Sequence, residues 1–232
     1  GTVYGPLAGL SATATALPSR VLGAFSCKDY DSLPHTFAGT ETTLHKLPGA
    51  TAVAWSDVSI AGGYTTGAEE TWEFALFGNR VVATGFTDAI QSYVLGTSTL
   101  FANLAAAAPR ARHVAVVKDF LMVGNTSDTT DGARPQRVWW PAIDDPTNWP
   151  TIGSAAAAAV QSDRQDISTG DGVQRIVGAV GGADGAVFME NAIHRIVYEG
   201  PPSVFGFYEI ERTKGTPFPN SVINIGPFAV YI

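Results

Sequence analysis

Runs of four to seven mostly apolar residues, cut short by glycine, asparagine or aspartate, recur along the chain. Five times one such run enters a tight turn and a second follows. The first set is 21–27, a polar turn, then 35–40 and 43–47. The second is 72–77, the turn Gly78-Asn79, then 80–85 and 90–95. The third is 113–117, the turn Lys118-Asp119, then 120–125 and 137–140. The fourth is 175–180, a glycine-rich turn at 181–185, then 186–190 and 192–198. The fifth is 221–225, the turn Gly226-Pro227, then 228–232. Short runs rich in Val, Ile, Phe and Trp and bounded by turn residues predict β-hairpins, and Gly-Asn supplies the positive φ that a tight hairpin needs. Alternation is clearest near the fourth set. There Ile193, Arg195 and Val197 point one way and His194, Ile196 and Tyr198 the other. Elsewhere the runs are apolar on both faces, as strands packed between neighbouring sheets are.

The turns begin near positions 28, 78, 118, 181 and 226, at spacings of 50, 40, 63 and 45 residues. A period near this length with three or four strands per unit is the signature of propeller blades. The fold expected is therefore all-β, a β-propeller with blades of three to four antiparallel strands. Residues 1–232 are read as one such domain, about four blades and the start of a fifth. Fourth strands are expected at 53–58 and 204–209, and the longest interval is assigned an insertion, 128–135 together with 154–168. A blade left at two strands has an open edge, a hazard that proteins cover. The expectation drawn is that the chain is the N-terminal part of a longer protein. Residues 105–108 and 155–159 are each long enough for a single helical turn.

Composition narrows the function. Hydrophobic residues make up 45% and charged residues 15%, which excludes a disordered chain. The 25 glycines and 14 prolines suit many turns. Net charge is −7 and no Lys/Arg cluster occurs, so stable nucleic-acid binding is not expected. Cys27 is the single cysteine, which excludes an intrachain disulfide and points to folding in a reducing compartment. No apolar run reaches the length of a transmembrane helix, and no basic-then-apolar leader begins the sequence.

No motif announces chemistry. There is no Gly-rich phosphate loop ending in Gly-Lys-Ser/Thr, and no Gly-x-Ser-x-Gly elbow. His35, His45, His113 and His194 lack metal-ligand spacing and read as structural. The acidic sets Asp128, Asp131 with Gly132 and Asp163, Asp166, Asp171 lack the alternating spacing of a calcium loop and read as solvated. Trp55, Trp72, Trp139, Trp140 and Trp149 are expected between sheets, with stacking on sugars the alternative. The string Asp144-Asp145-Pro146-Thr147-Asn148-Trp149 reads as a turn. With Arg137 it also supplies the only local candidates for a glycan contact: Arg137, Asp144, Asp145 and Trp149. No catalytic residue, metal or cofactor is assigned.

Five phrases carry a family resemblance, in this order: RVLGAFSCKDYDSLPHTFAGTETTLHKL, WEFALFGNRVVATGFTDAIQSYVL, ARHVAVVKDFLMVGNTSD, RVWWPAIDDPTNW and ENAIHRIVYEGPPSVFGFYEIERTKGTPFPNSV. The chain, from about Leu17 onward, resembles the tail nozzle or packaged-DNA stabilisation proteins of short-tailed phages. The resemblance implies a structural virion protein rather than an enzyme. Six copies would form a ring below the portal and its adaptor and build the distal tail channel, assembled in the host cytoplasm. Tail fibres or spikes would be neighbours, and DNA would pass without specific binding. The alternative reading is a carbohydrate-binding or glycan-cleaving propeller for host-surface recognition.

Overall fold

A computed structural model describes residues 12, 14–49, 53–179, 184–225 and 228–232. Its strands form four consecutive four-stranded antiparallel sheets and one two-stranded sheet, each in simple chain order. The first holds β1 (Gly23–Lys28), β2 (Pro34–Gly39), β3 (Leu44–Pro48) and β4 (Ser56–Asp57). The second holds β5 (Glu73–Phe77), β6 (Arg80–Thr84), β7 (Gln91–Val94) and β8 (Ala102–Asn103). The third holds β9 (Arg110–Val117), β10 (Phe120–Asp128), β11 (Gly132–Trp140) and β12 (Asp163–Asp166). The fourth holds β13 (Val173–Gly178), β14 (Gly185–Met189), β15 (Ile193–Gly200) and β16 (Val204–Glu211). The fifth pairs β17 (Ile223–Ile225) with β18 (Phe228–Val230). The architecture is all-β and propeller-like, as the repeat predicts.

The apolar-on-both-faces pattern has a direct cause. The core divides into four clusters, each lying between two successive sheets. Phe37, Leu44, Val81, Ala83, Tyr93 and Phe101 fill the space between the first and second sheets. Val82, Ile90, Val114, Leu121, Val123 and Trp139 fill the next. Val117, Phe120, Met122, Trp140, Val187 and Phe205 fill the third, and Val177, Phe188, Ile193 and Val222 the fourth. Val81 and Val82, adjacent on β6, thus serve opposite interfaces, as the two-residue period of a strand requires.

The first strands of successive sheets are neighbours. The Trp72 amide donates to the Leu22 carbonyl at 3.1 Å, and the Asn224 side chain on β17 donates to the Gly178 carbonyl on β13 at 3.0 Å. A Cβ on Gly178 would stand 2.2 Å from the Val116 carbonyl oxygen of β9, so only glycine admits that approach. These contacts place the first strands innermost, about a common axis.

Several boundaries differ from expectation. Residues 128–135 are not an inserted loop. They lengthen β10 and β11 into a long hairpin whose tip is 129–131. Residues 154–168 hold helix α1 (Ala155–Ala159), capped by the Ser154 hydroxyl, and β12, the fourth strand of its sheet. Residues 105–108 make a single turn. The fourth strand expected at 53–58 is the two-residue β4, and the one expected at 204–209 runs on to Glu211. The glycine-rich turn at 181–185 lies outside the described residues up to 183, as does the turn at Gly226-Pro227. Among the described residues no helix is long and apolar enough to cross a membrane.

Candidate functional site

The four glycan-contact candidates fall in two places. Arg137, on β11, is 5% exposed. Its Nε and Nη2 donate to the two oxygens of Asp166 at 2.6 and 3.0 Å, and its Nη1 donates to Asp131 at 2.6 Å. Asp128 stands 3.5 Å away, and Arg164 adds a second cation 2.8 Å from Asp131. The bond from Arg137, with the Arg164 charge beside it, holds the Asp131 carboxyl below the usual carboxylate range. Asp128, Asp131 and Asp166 are thus partnered by arginines and are not simply solvated.

Asp144 and Asp145 lie near the β9–β10 turn, where the Asp144 amide donates to the Asp119 carbonyl at 2.9 Å. Asp145 accepts from the Thr147 amide and hydroxyl at 2.9 and 2.6 Å, closing the turn. Trp149 is buried. Its indole donates to the Pro146 carbonyl at 2.8 Å and meets Trp139 edge-on at 6.1 Å. Trp72 and Trp140 are buried as well, and Trp55 is half-buried. Arg137 and Trp149 are therefore occupied by structure, while Asp144 and Asp145 border a shallow recess beside Tyr30 and Arg80.

A larger recess, about 740 Å³, opens where the first strands begin. It draws on loops of four sheets, with Glu70, Arg112, His113, Asn125, Asp171 and Glu190 among its lining. Beneath it lies a buried polar cluster joining three inner strands. Glu73 of β5 accepts from His113 Nδ1 of β9 at 2.9 Å and from the Val114 amide at 3.2 Å. Arg175 of β13 approaches the same carboxylate at 3.1 Å. Glu73 and His113 are 8% and 5% exposed, and the Arg175 guanidinium offsets the Glu73 charge in a site largely withdrawn from water. Above them Arg112 bonds Glu70 and lies 4.1 Å over the Phe86 ring.

Sequence reasoning did not single out Glu70, Glu73, Arg112, Arg175 or Glu190, and it read His113 as structural. A signal was present. Glu73 and His113 both stand five residues before the first hairpin turn of their repeat, at Gly78 and Lys118. Equivalent positions on inner strands meet at the axis, so a polar residue recurring there marks a shared cluster. Among the described residues no three His, Cys, Asp or Glu side chains group closely enough to hold a metal ion.

No family model matches the chain, and no curated protein matches it. Several solved structures are similar in outline, two of which follow. One is the computationally designed Ika4 protein, 13% identical, with 87% of this chain and 99% of that chain covered and a TM-score of 0.46. The other is a structural genomics protein of unknown function from Bacteroides thetaiotaomicron VPI-5482. It is 10% identical, with 87% of this chain and 54% of that chain covered and a TM-score of 0.41.

Proposed function

We propose that the chain is a structural, non-enzymatic component of a short-tailed phage tail. In this reading it assembles as a ring, of six copies by the family resemblance, below the portal and adaptor and beside fibres or spikes. It lines the distal channel through which the genome is held and released. The observation that carries the reading is the resemblance itself, five phrases in order over most of the chain. The uses to which those phrases are put support it. RVWWPAIDDPTNW closes a turn and buries Trp139, Trp140 and Trp149 against neighbouring sheets. WEFALFGNRVVATGFTDAIQSYVL supplies both faces of the second sheet. Stacked sheets joined by short turns make a stiff wedge, the shape a closed ring is built from. A net charge of −7 favours a wall that repels phosphate and lets DNA slide.

The test is co-expression with the portal and adaptor proteins of the same genome, followed by electron microscopy. Six-fold rings joined to the portal assembly are expected, with no retention of duplex DNA by the isolated chain. A dispersed monomer that leaves portal and adaptor bare would overturn the reading.

A further inference from the structure

We propose that the shallow recess at the turn end of the first two sheets binds one neutral sugar ring of a glycan. The site is independent of the tail assignment. It keeps two of the four glycan-contact candidates, Asp144 and Asp145, and joins them to Tyr30, Asn79 and Arg80. Tyr30 is the platform. It is 79% exposed, far from any core packing, yet the loop that carries it is braced. Asp29 accepts from the Asp31 and Leu33 amides at 3.0 and 2.9 Å, and its own amide donates to the Leu33 carbonyl at 3.1 Å. Its other carboxylate oxygen lies 2.9 Å from His35 Nε2. Tyr30 crosses to the next sheet, where a Cβ on Gly78 would stand 2.9 Å from its hydroxyl. An aromatic ring held in place and left bare to water suits the apolar C–H face of a sugar, and the braced loop lowers the entropy lost on binding.

The groups around the ring supply both kinds of partner that hydroxyls need. The Asp144 carboxylate and the second oxygen of Asp145 accept no hydrogen bond among the described residues. Arg80 gives Nη1 to the Ser92 hydroxyl at 3.1 Å and forms no ion pair with either carboxylate among the described residues. Opposite charges thus line one recess without being spent on each other. Asn79 is locked in orientation, since its Nδ2 donates to the Leu95 carbonyl at 2.7 Å and the Leu95 amide donates to the Asn79 carbonyl at 2.8 Å. Its Oδ1 is left buried without a partner, a feature that calls for an explanation. A hydroxyl donates and accepts at once, so a polyol uses this mixed set. A lone cation would meet Arg80, and a lone anion would meet Asp144 and Asp145. The recess holds about 350 Å³, the small end of ligand sites, which fits one ring rather than a long chain.

The full chain is tested on an array of neutral hexose and N-acetylhexosamine oligosaccharides, then by calorimetric titration with the strongest binder. One site per chain is expected, with an affinity unchanged between about 50 and 300 mM NaCl because the ligand carries no charge. Tyr30→Ala should weaken binding about tenfold by removing the platform, whereas Tyr30→Phe keeps the ring and should bind nearly as the parent does. Asp144→Gly, which suits the φ of 58° at that position, should also weaken binding about tenfold. Positions 30 and 144 are exposed, so the urea midpoint should stay that of the parent. Glu69→Gln removes a carboxylate at the opposite end of the sheets and should leave binding intact. Failure to bind any oligosaccharide of the array would overturn the site. So would binding retained in Tyr30→Ala, a loss in Tyr30→Phe as large as in Tyr30→Ala, equal weakening in Glu69→Gln, or an affinity that falls with salt.

Discussion

His194 shows how a single side chain ties packing to solution conditions. It lies on β15 opposite Glu209 of β16 and is 4% exposed. Its Nε2 lies 3.0 Å from the Thr169 hydroxyl and 4.0 Å from a Glu209 oxygen, while Nδ1 is buried without a partner. Burial lowers the imidazole pKa below its ordinary value, and the Glu209 charge only partly opposes this. The unfolded chain therefore takes up the proton first. Stability is full above the ordinary histidine range and falls as pH drops from about 6.5 through the lowered value. The carboxyls of Asp29, Asp57, Asp131, Glu209 and Glu211 are all held below their usual values, so their contributions are lost only at more acid pH. Urea unfolding at pH 7.5 and 5.5 should show a lower midpoint at the acid value, and His194→Gln should flatten that difference. An unchanged pH difference in the variant would assign the effect to another group.

Among the elements, the joint between the first two sheets depends on Trp72 and the glycines around it. The indole donates to the Thr40 carbonyl at 2.8 Å and meets Tyr64 edge-on at 4.9 Å. A Cβ on Gly39 would fall 2.3 Å from its ring, and one on Gly85 would stand 3.4 Å away. Gly39→Val should force Trp72 out of its slot and cost about 1–3 kcal/mol, the usual penalty for overpacking. A red-shifted tryptophan emission together with a lower urea midpoint would register it, and an unmoved emission would place the strain elsewhere. The strands of this joint are legible in the sequence because hairpin turns and apolar runs are local signals. The partner that each face would meet is not local. Val81 and Val82 look alike in sequence, and only the stacking of sheets sends one to Phe37 and the other toward Leu121. The same limit applies to the recess. Glu73, His113 and Arg175 are widely separated in sequence and meet because three inner strands share an axis. The turn of 144–149 announced itself through Asp-Pro, whereas the burial of Trp149 and the capture of Arg137 by Asp131 and Asp166 rest on contacts that composition does not record.

For the molecule as a whole, the two outermost sheets differ in what they present. On β1 the residues facing away from the second sheet, Ala24, Ser26 and Lys28, are exposed, and Ser26 bonds the Thr36 hydroxyl at 2.9 Å, as on a wetted face. The fifth sheet carries Asn224 on its inner side and is apolar on its outer side. Ala229 and Tyr231 turn inward against the fourth sheet. Ile223 pairs with Val230 and Ile225 with Phe228 across the strands, and all four face outward, Phe228 being 70% exposed. That outer face has the composition of the faces that a following sheet covers elsewhere in the series. Contiguous apolar surface of this kind drives association, and an edge strand with no further partner among the described residues offers backbone groups for pairing. The chain as described should therefore self-associate with rising concentration. Ile223→Thr, Ile225→Thr and Phe228→Ser together should reduce that association while leaving the urea midpoint nearly unchanged, because exposed positions contribute little to folding. Sedimentation velocity over a concentration series reads the first effect and urea unfolding the second. Concentration-independent sedimentation of the parent chain would mean that the face is not adhesive in water. A large fall in the midpoint would mean that these side chains are packed within the chain itself.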